Sequence, residues 1–135
     1  MHFHNHKKED IINRAGGDLV IELYNAAGQE LSAQGEIELL LNGQAACFPA
    51  GTRVVLRPGE SITLPTRTYH KFWAEGARVM IGEVSMVNDD RADNVFHQPF
   101  GSGRFSEVVE DEPPLYLLFT DYARFWGNEK VLTRR

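Results

Sequence analysis

The stretch that decides the fold is residues 1–16, Met1-His2-Phe3-His4-Asn5-His6-Lys7-Lys8-Glu9-Asp10-Ile11-Ile12-Asn13-Arg14-Ala15-Gly16. Side chains alternate faces along a β-strand, so His2 and His4 share a face and two imidazoles can reach one ion. His6 would join them if the strand continued, but Asn5 to Lys8 is polar and reads as a turn. Glu9 returns on the next segment as an oxygen donor. Far along the chain, the run Gly59 to His70 supplies a third histidine. His2, His4, Glu9 and His70 together make a mixed nitrogen and oxygen donor set that leaves coordination positions open. Two blander readings stand beside this one: a histidine-rich start that binds nothing specific, and His70 as a core residue beside Tyr69, Phe72 and Trp73.

Outward from that stretch the chain punctuates itself at short intervals. Glu9 to Arg14 alternates as a short strand, and Gly16-Gly17 breaks it. Leu19 to Tyr24 is rich in strand formers. Asn25 to Gln34 reads as a connection. Glu36 to Leu41 stops at Asn42-Gly43, a strong hairpin signal, and Ala45 to Phe48 returns. Arg53 to Leu56, Ser61 to Leu64, Tyr69 to Trp73 and Arg78 to Met86 follow, separated by Pro58-Gly59, Pro65 and Glu75-Gly76. Short strands with turn residues every few positions predict an all-β sandwich or small barrel. Asn88 to Asn94 is a charged loop, Phe96 to Arg104 is irregular, and Leu115 to Trp126 supplies a short helical element near the C-terminus or a last strand.

The chain has 135 residues, 42% of them hydrophobic and 24% charged, which suits one domain with a real core. A formal net charge of −5 without a basic run speaks against nucleic acid and anionic membrane surfaces. No apolar stretch is long enough to cross a bilayer and no secretory signal is visible, so a cytoplasmic location is expected. The single cysteine, Cys47, rules out an internal disulfide.

The spacing His2, His4, Glu9, Gly16, followed by Gly59, Pro65, His70, resembles the two signature motifs of the cupin superfamily. Arg67 stands where glycine is usual there and Ala74 where asparagine is usual, which questions the turn geometry and not the ligands. The runs Lys7 to Arg14, Leu19 to Asn25, Tyr69-His70 with Phe72-Trp73, Gly82 to Ser85 and Val87 to Asp90 are similar to the D-lyxose isomerase family within the cupins. The resemblance implies a cupin-type small β-barrel, or jelly roll, spanning 1–135 as a single domain. Members carry a further N-terminal segment, so the chain reads as that domain alone or as a fragment of a longer protein. Two ligands so close to a chain end also need something to tie their strand down.

The resemblance further implies a metal-dependent isomerase that interconverts D-lyxose and D-xylulose, and D-mannose and D-fructose, through an enediol. Its metal would be Mn2+, with Fe2+, Zn2+, Co2+ and Ni2+ as alternatives, its substrate a small sugar and its assembly a homodimer. Moving a carbonyl between C1 and C2 requires a Lewis acid and a separate proton shuttle. Lys7 and Glu83 are the candidate proton-transfer and orienting groups, and Asp90 and Asp93 the candidate contacts to sugar hydroxyls. Another cupin metalloenzyme, such as a dioxygenase, and a non-catalytic sugar- or metal-binding cupin are the alternatives.

Overall fold

The computed structural model of the protein describes residues 1–97. The helical element expected in Leu115–Trp126 therefore lies outside the described residues. Within them the chain is almost entirely antiparallel β-structure, as its punctuation predicts: β1 His2–His4, β2 Glu9–Ala27, β3 Glu30–Ser32, β4 Glu36–Leu41, β5 Gln44–Pro49, β6 Arg53–Leu56, β7 Ser61–Leu64, β8 Thr68–Ser85 and β9 Asn94–Phe96, with one helical turn, α1, at Asp90–Asp93. Along the sheet the order is β5-β4-β7-β2-β8-β1-β9, and β6 and β3 pair with later parts of β2. Among the described residues no helix is long and apolar enough to cross a membrane.

Two arms dominate. The sequence divides Glu9 to Tyr24 at Gly16-Gly17, and Tyr69 to Met86 at Glu75-Gly76. The structure instead runs β2 and β8 through both points as one long ribbon, paired from Glu9↔Ser85 to Asn25↔Thr68 with register shifts at Asn13/Ala15 and Gly16/Asp18. The first shift falls on Arg14 and the second on Gly17 with Gly76 opposite, so these glycines sit in a bulge, which bends a strand without ending it. Gly16 has φ +103°, and a Cβ there would stand 1.9 Å from the Arg78 carbonyl oxygen, so only glycine lets the two backbones approach this closely.

The bend can be inferred from two contacts. His70 faces Leu23 near one end of the ribbon, while Glu9 begins the other. A straight strand would separate those ends by roughly 45 Å. Glu9 Oε1 nonetheless lies 2.8 Å from His70 Nε2, so the ribbon doubles over and closes its inner face on itself. The core combines Ile11, Leu19, Ile21 and Leu23 of β2 with Ile37 and Leu39 of β4, Val54 and Leu56 of β6, and Ile62 and Leu64 of β7, all buried. The architecture is all-β and consistent with a cupin-like fold.

Local turns follow their chemistry. Asn42 and Gly43 both take positive φ, 52° and 76°, which closes the β4–β5 hairpin with Leu41 opposite Gln44. The strand β1 is tied down on both sides, to β8 through His2↔His70 and to β9 through His2↔Phe96, Phe3↔Val95 and His4↔Asn94. The charged segment after Val87 was expected to be loop. It forms α1 and β9 because β1 offers an open edge for pairing.

Arg67 settles the turn that its departure from the cupin pattern put in question. It adopts φ +63°, the left-handed conformation that glycine takes without cost. Its N–H donates to the His4 carbonyl at 2.8 Å. Its guanidinium donates to the Gly28 carbonyl and lies 5.2 Å above the Phe3 ring. These contacts offset a backbone cost of about 1 kcal/mol. Arg67→Ala keeps the strain and loses the anchors, so it is expected to destabilise by about 1 kcal/mol in denaturant unfolding. Arg67→Gly loses the anchors and the strain together and is expected to be near neutral. Equal losses in the two variants would contradict this account.

Candidate metal centre

The turn between β1 and β2, and the start of β8, bring the donors together. His2 and His4 point to the inner face of β1 while Phe3 points away and packs edge-on against Tyr69, ring centroids 4.8 Å apart. That packing fixes the strand's rotation and so aims both imidazoles. Phe3, Tyr69, His4, Glu9 and His70 are all buried. The ligand-type atoms of His2, His4 and His70 lie within 4.8 Å of one another. The Glu9 carboxylate reaches between two of them, with Oε1 2.8 Å from His70 Nε2 and Oε2 3.3 Å from His4 Nε2. His6, left out of the donor set on the turn argument, is exposed on the bend, and His97 is exposed beyond β9.

The donor chemistry fits a divalent cation. Neither ring nitrogen of His4 makes a hydrogen bond within the described residues, although both are buried. Each faces a carboxylate oxygen without bonding it, Glu9 Oε2 at 3.3 Å and Asp93 Oδ2 at 3.6 Å, and a buried nitrogen left so is costly unless something accepts its lone pair. Burial, followed by the neighbouring His70 and His4, lowers the His2 pKa to about 3, so its ring is neutral and its lone pair available at neutral pH. Burial pushes the Glu9 carboxyl upward, but His4, His70 and Lys7 outweigh it and hold the group well below the usual carboxylate range. The set thus offers a neutral imidazole at His2 and an anionic oxygen at Glu9, with the imidazoles of His4 and His70 beside them. His70 Nδ1 lies 3.0 Å from the Thr68 carbonyl, a partner that leaves Nε2 as the inward atom.

Lys7 and Glu83 stand beside this cluster. Lys7 Nζ is 2.8 Å from Glu9 Oε2 and 3.0 Å from Glu83 Oε1. Burial pulls the ammonium down, but bonding to Glu9 and Glu83 more than compensates, so its pKa is raised and Lys7 is held as a cation. Glu83 faces Ile11 across the ribbon and keeps 43% side-chain exposure, so it is open to a molecule entering from solvent.

The two aspartates differ in what the structure describes of them. Asp90 begins α1, and its side chain lies outside what the structure describes. Asp93 was expected at a sugar hydroxyl. It is buried instead, with Oδ1 accepting from the His6 N–H at 2.7 Å and Oδ2 from the Lys7 N–H at 3.2 Å. The reason is α1 and the β9–β1 pairing, which draw the segment against the β1–β2 turn. Sequence offered no signal for these contacts, which join residues 86 and 87 positions apart.

Metal-free protein is expected to lose stability as pH falls from about 6.5 toward about 3. His2 stays neutral in the fold through that window but charges when the chain unfolds. The unfolded state then binds more protons, and stability rises with pH. Glu9 and Asp93, both held below their ordinary values, extend the loss further into acid. Urea unfolding in the presence of a chelator at a series of pH values checks this, and His2→Gln should flatten the upper part of the profile. A stability independent of pH across the window would contradict the placement of His2.

An all-β sheet doubled over so that imidazoles and a carboxylate converge on its inner face, with a lysine–glutamate pair alongside, is consistent with a cupin-like protein built around a metal-type donor cluster. Comparison with known proteins narrows this. The D-lyxose isomerase family matches residues 1–122, and the chain belongs to that family. A protein of Serratia proteamaculans named D-lyxose/D-mannose isomerase is 49% identical over 127 residues, 93% of this chain and 55% of its own length. A protein of the same name from Escherichia coli O157:H7 is 47% identical over 127 residues, with the same coverage of 93% and 55%. The chain thus spans about half the length of these curated relatives.

Proposed function

We propose that this chain carries the metal centre and the proton-transfer pair of an aldose–ketose isomerase, acting on D-lyxose with D-xylulose and on D-mannose with D-fructose. The observation that carries the reading is the convergence of His2, His4, Glu9 and His70 with the Lys7–Glu83 pair immediately beside them. The family and the names of its relatives support the class of reaction.

His2, His4, Glu9 and His70 would hold a divalent ion, most readily Mn2+, with Fe2+, Zn2+, Co2+ and Ni2+ as alternatives that suit the same donors. When bound, the ion supplies Lewis acidity to the sugar's C1 and C2 oxygens. The protein's own groups move the proton. The Glu83 carboxylate removes the hydrogen from C2 of the aldose, and the C–H electron pair becomes the C1–C2 double bond of an enediol. Lys7 Nζ, a fixed cation, stabilises the negative charge that develops on the adjacent oxygen. Glu83 then returns its proton to C1, while the hydroxyl hydrogen passes from O2 to O1, giving the ketose. The reading also carries a homodimer in the cytoplasm, with Asp90 as a sugar contact.

The test is to strip the protein with a chelator, restore Mn2+, and follow conversion of D-lyxose to D-xylulose while circular dichroism monitors the fold. Turnover that disappears with the metal and returns with it is the expected result. A folded, metal-loaded chain that stabilises thermally with sugar but does not turn it over would sink the isomerase reading and leave a binding protein. Oxygen consumption with Fe2+ and no sugar turnover would mark a dioxygenase.

A further inference from the structure

On the reading that His2, His4, Glu9 and His70 hold a divalent metal, we propose that Asp93 is the positioning residue of that centre: it clamps the turn between His4 and Glu9 and orients the His4 ring so that Nε2 is the ligand atom. The clamp is extensive. Asp93 is 2% exposed. Its Oδ1 accepts from the His6 N–H at 2.7 Å, and its Oδ2 accepts from the Lys7 N–H at 3.2 Å and from Asn88 Nδ2 at 3.4 Å. Its backbone carbonyl accepts from the Asn5 N–H at 3.0 Å and from Asn5 Nδ2 at 3.3 Å. Asn5, His6 and Lys7 are therefore all fastened to one residue of another element, and they are three of the four residues that link His4 to Glu9.

The same carboxylate faces the far side of the His4 ring. Asp93 Oδ2 lies 3.6 Å from His4 Nδ1, while Glu9 Oε2 lies 3.3 Å from Nε2 on the opposite side. A carboxylate behind one ring nitrogen favours the proton there and frees the other nitrogen's lone pair for a metal. His70 follows the same rule with a backbone partner, the Thr68 carbonyl 3.0 Å from its Nδ1. Among the described residues His4 has no such carbonyl, and the Asp93 side chain takes that place. A carboxylate suits the place because only acceptors can meet the converging N–H groups; an asparagine would turn an NH2 toward one of them. Since the Lys7 N–H is one of those groups, Asp93 also sets where Lys7 Nζ stands between Glu9 and Glu83.

The test compares the unmutated chain with Asp93→Asn, which keeps the shape, and Asp93→Ala. Mn2+ affinity, read by competition with a chromophoric chelator, is expected to fall on the order of 10- to 100-fold in both variants. NMR of the Cd2+-loaded chain labelled with 15N-histidine reads the ring itself. The Nδ1–H of His4 is expected to exchange with solvent faster in the variants, while that of His70 is unchanged. A merely structural role would lower thermal stability and leave the two rings alike. Undiminished Mn2+ affinity together with an unaltered His4 ring in Asp93→Asn would overturn the inference alone. Binding of Cd2+ through His4 Nδ1 in the unmutated chain would overturn it without any variant. An unmutated chain that binds neither ion would overturn the metal centre and this inference together.

Discussion

On the proposed isomerase reading, replacing Glu9 by glutamine is expected to empty the metal site and reduce D-lyxose turnover roughly a thousandfold or more. A divalent ion supplies several kcal/mol of transition-state stabilisation, and each ~1.4 kcal/mol is tenfold in rate. Glu9 is the only carboxylate among the proposed ligands, so its loss removes the anionic charge that offsets the ion. The amide is close to isosteric, which keeps the test chemical rather than steric. The residue also has a second job, as the acceptor buried among His4, His70 and Lys7. With the amide in place, its two contacts to imidazole Nε2 atoms and the ion pair with Lys7 are weakened. Removing one partner of a buried ion pair commonly costs about 3–5 kcal/mol, so Glu9→Ala should unfold at markedly lower denaturant. Equilibrium dialysis against Mn2+, an activity assay and a urea titration separate the two effects. Full Mn2+ occupancy with unchanged turnover in Glu9→Gln would remove Glu9 from the site.

Lys7→Met and Glu83→Gln should each lower kcat by about 10²–10⁴-fold while Mn2+ remains bound. Methionine keeps much of the lysine stem, which is buried, and removes only the charge. Glutamine at residue 83 cannot take up the C2 proton. The informative variant is the double one. If Lys7 and Glu83 act as a unit, the pair loses little more than the worse single change. If their 3.0 Å contact is only an ion pair beside the donor cluster, kcat stays within a few-fold of the parent in every variant and stability alone changes. Isotope exchange adds an independent reading. Deuterium at C2 of the sugar should exchange with water more slowly in Glu83→Gln than in the parent.

Much of this was legible locally. Alternation along a strand puts His2 and His4 on one face, and the structure keeps them there, because the rule depends only on backbone pleat. Asn42-Gly43 announces its hairpin because both residues tolerate positive φ, and the hairpin forms at that point. The β character of Leu19 to Tyr24 and of Arg78 to Ser85 follows from their apolar and branched side chains. Gly16-Gly17 was misleading for a physical reason. Glycine marks both turns and bulges, and only the presence of a partner strand decides between them. Here Arg78 and Val79 supply that partner, so a break in the sequence pattern becomes a bend in one long strand.

What residue identity and spacing decided about this protein is its β-rich class, its hairpins and the types of donor available. Tertiary structure alone decided which donors meet. Glu9 and His70 stand at opposite ends of the β2–β8 ribbon and touch only because the ribbon doubles over. Asp93, expected to contact a sugar hydroxyl, is a buried clamp because α1 and β9 close against β1. Local periodicity is set by a few neighbouring dihedral angles and can be read along the chain. The meeting of distant residues is set by sheet curvature and strand pairing, which depend on many positions at once.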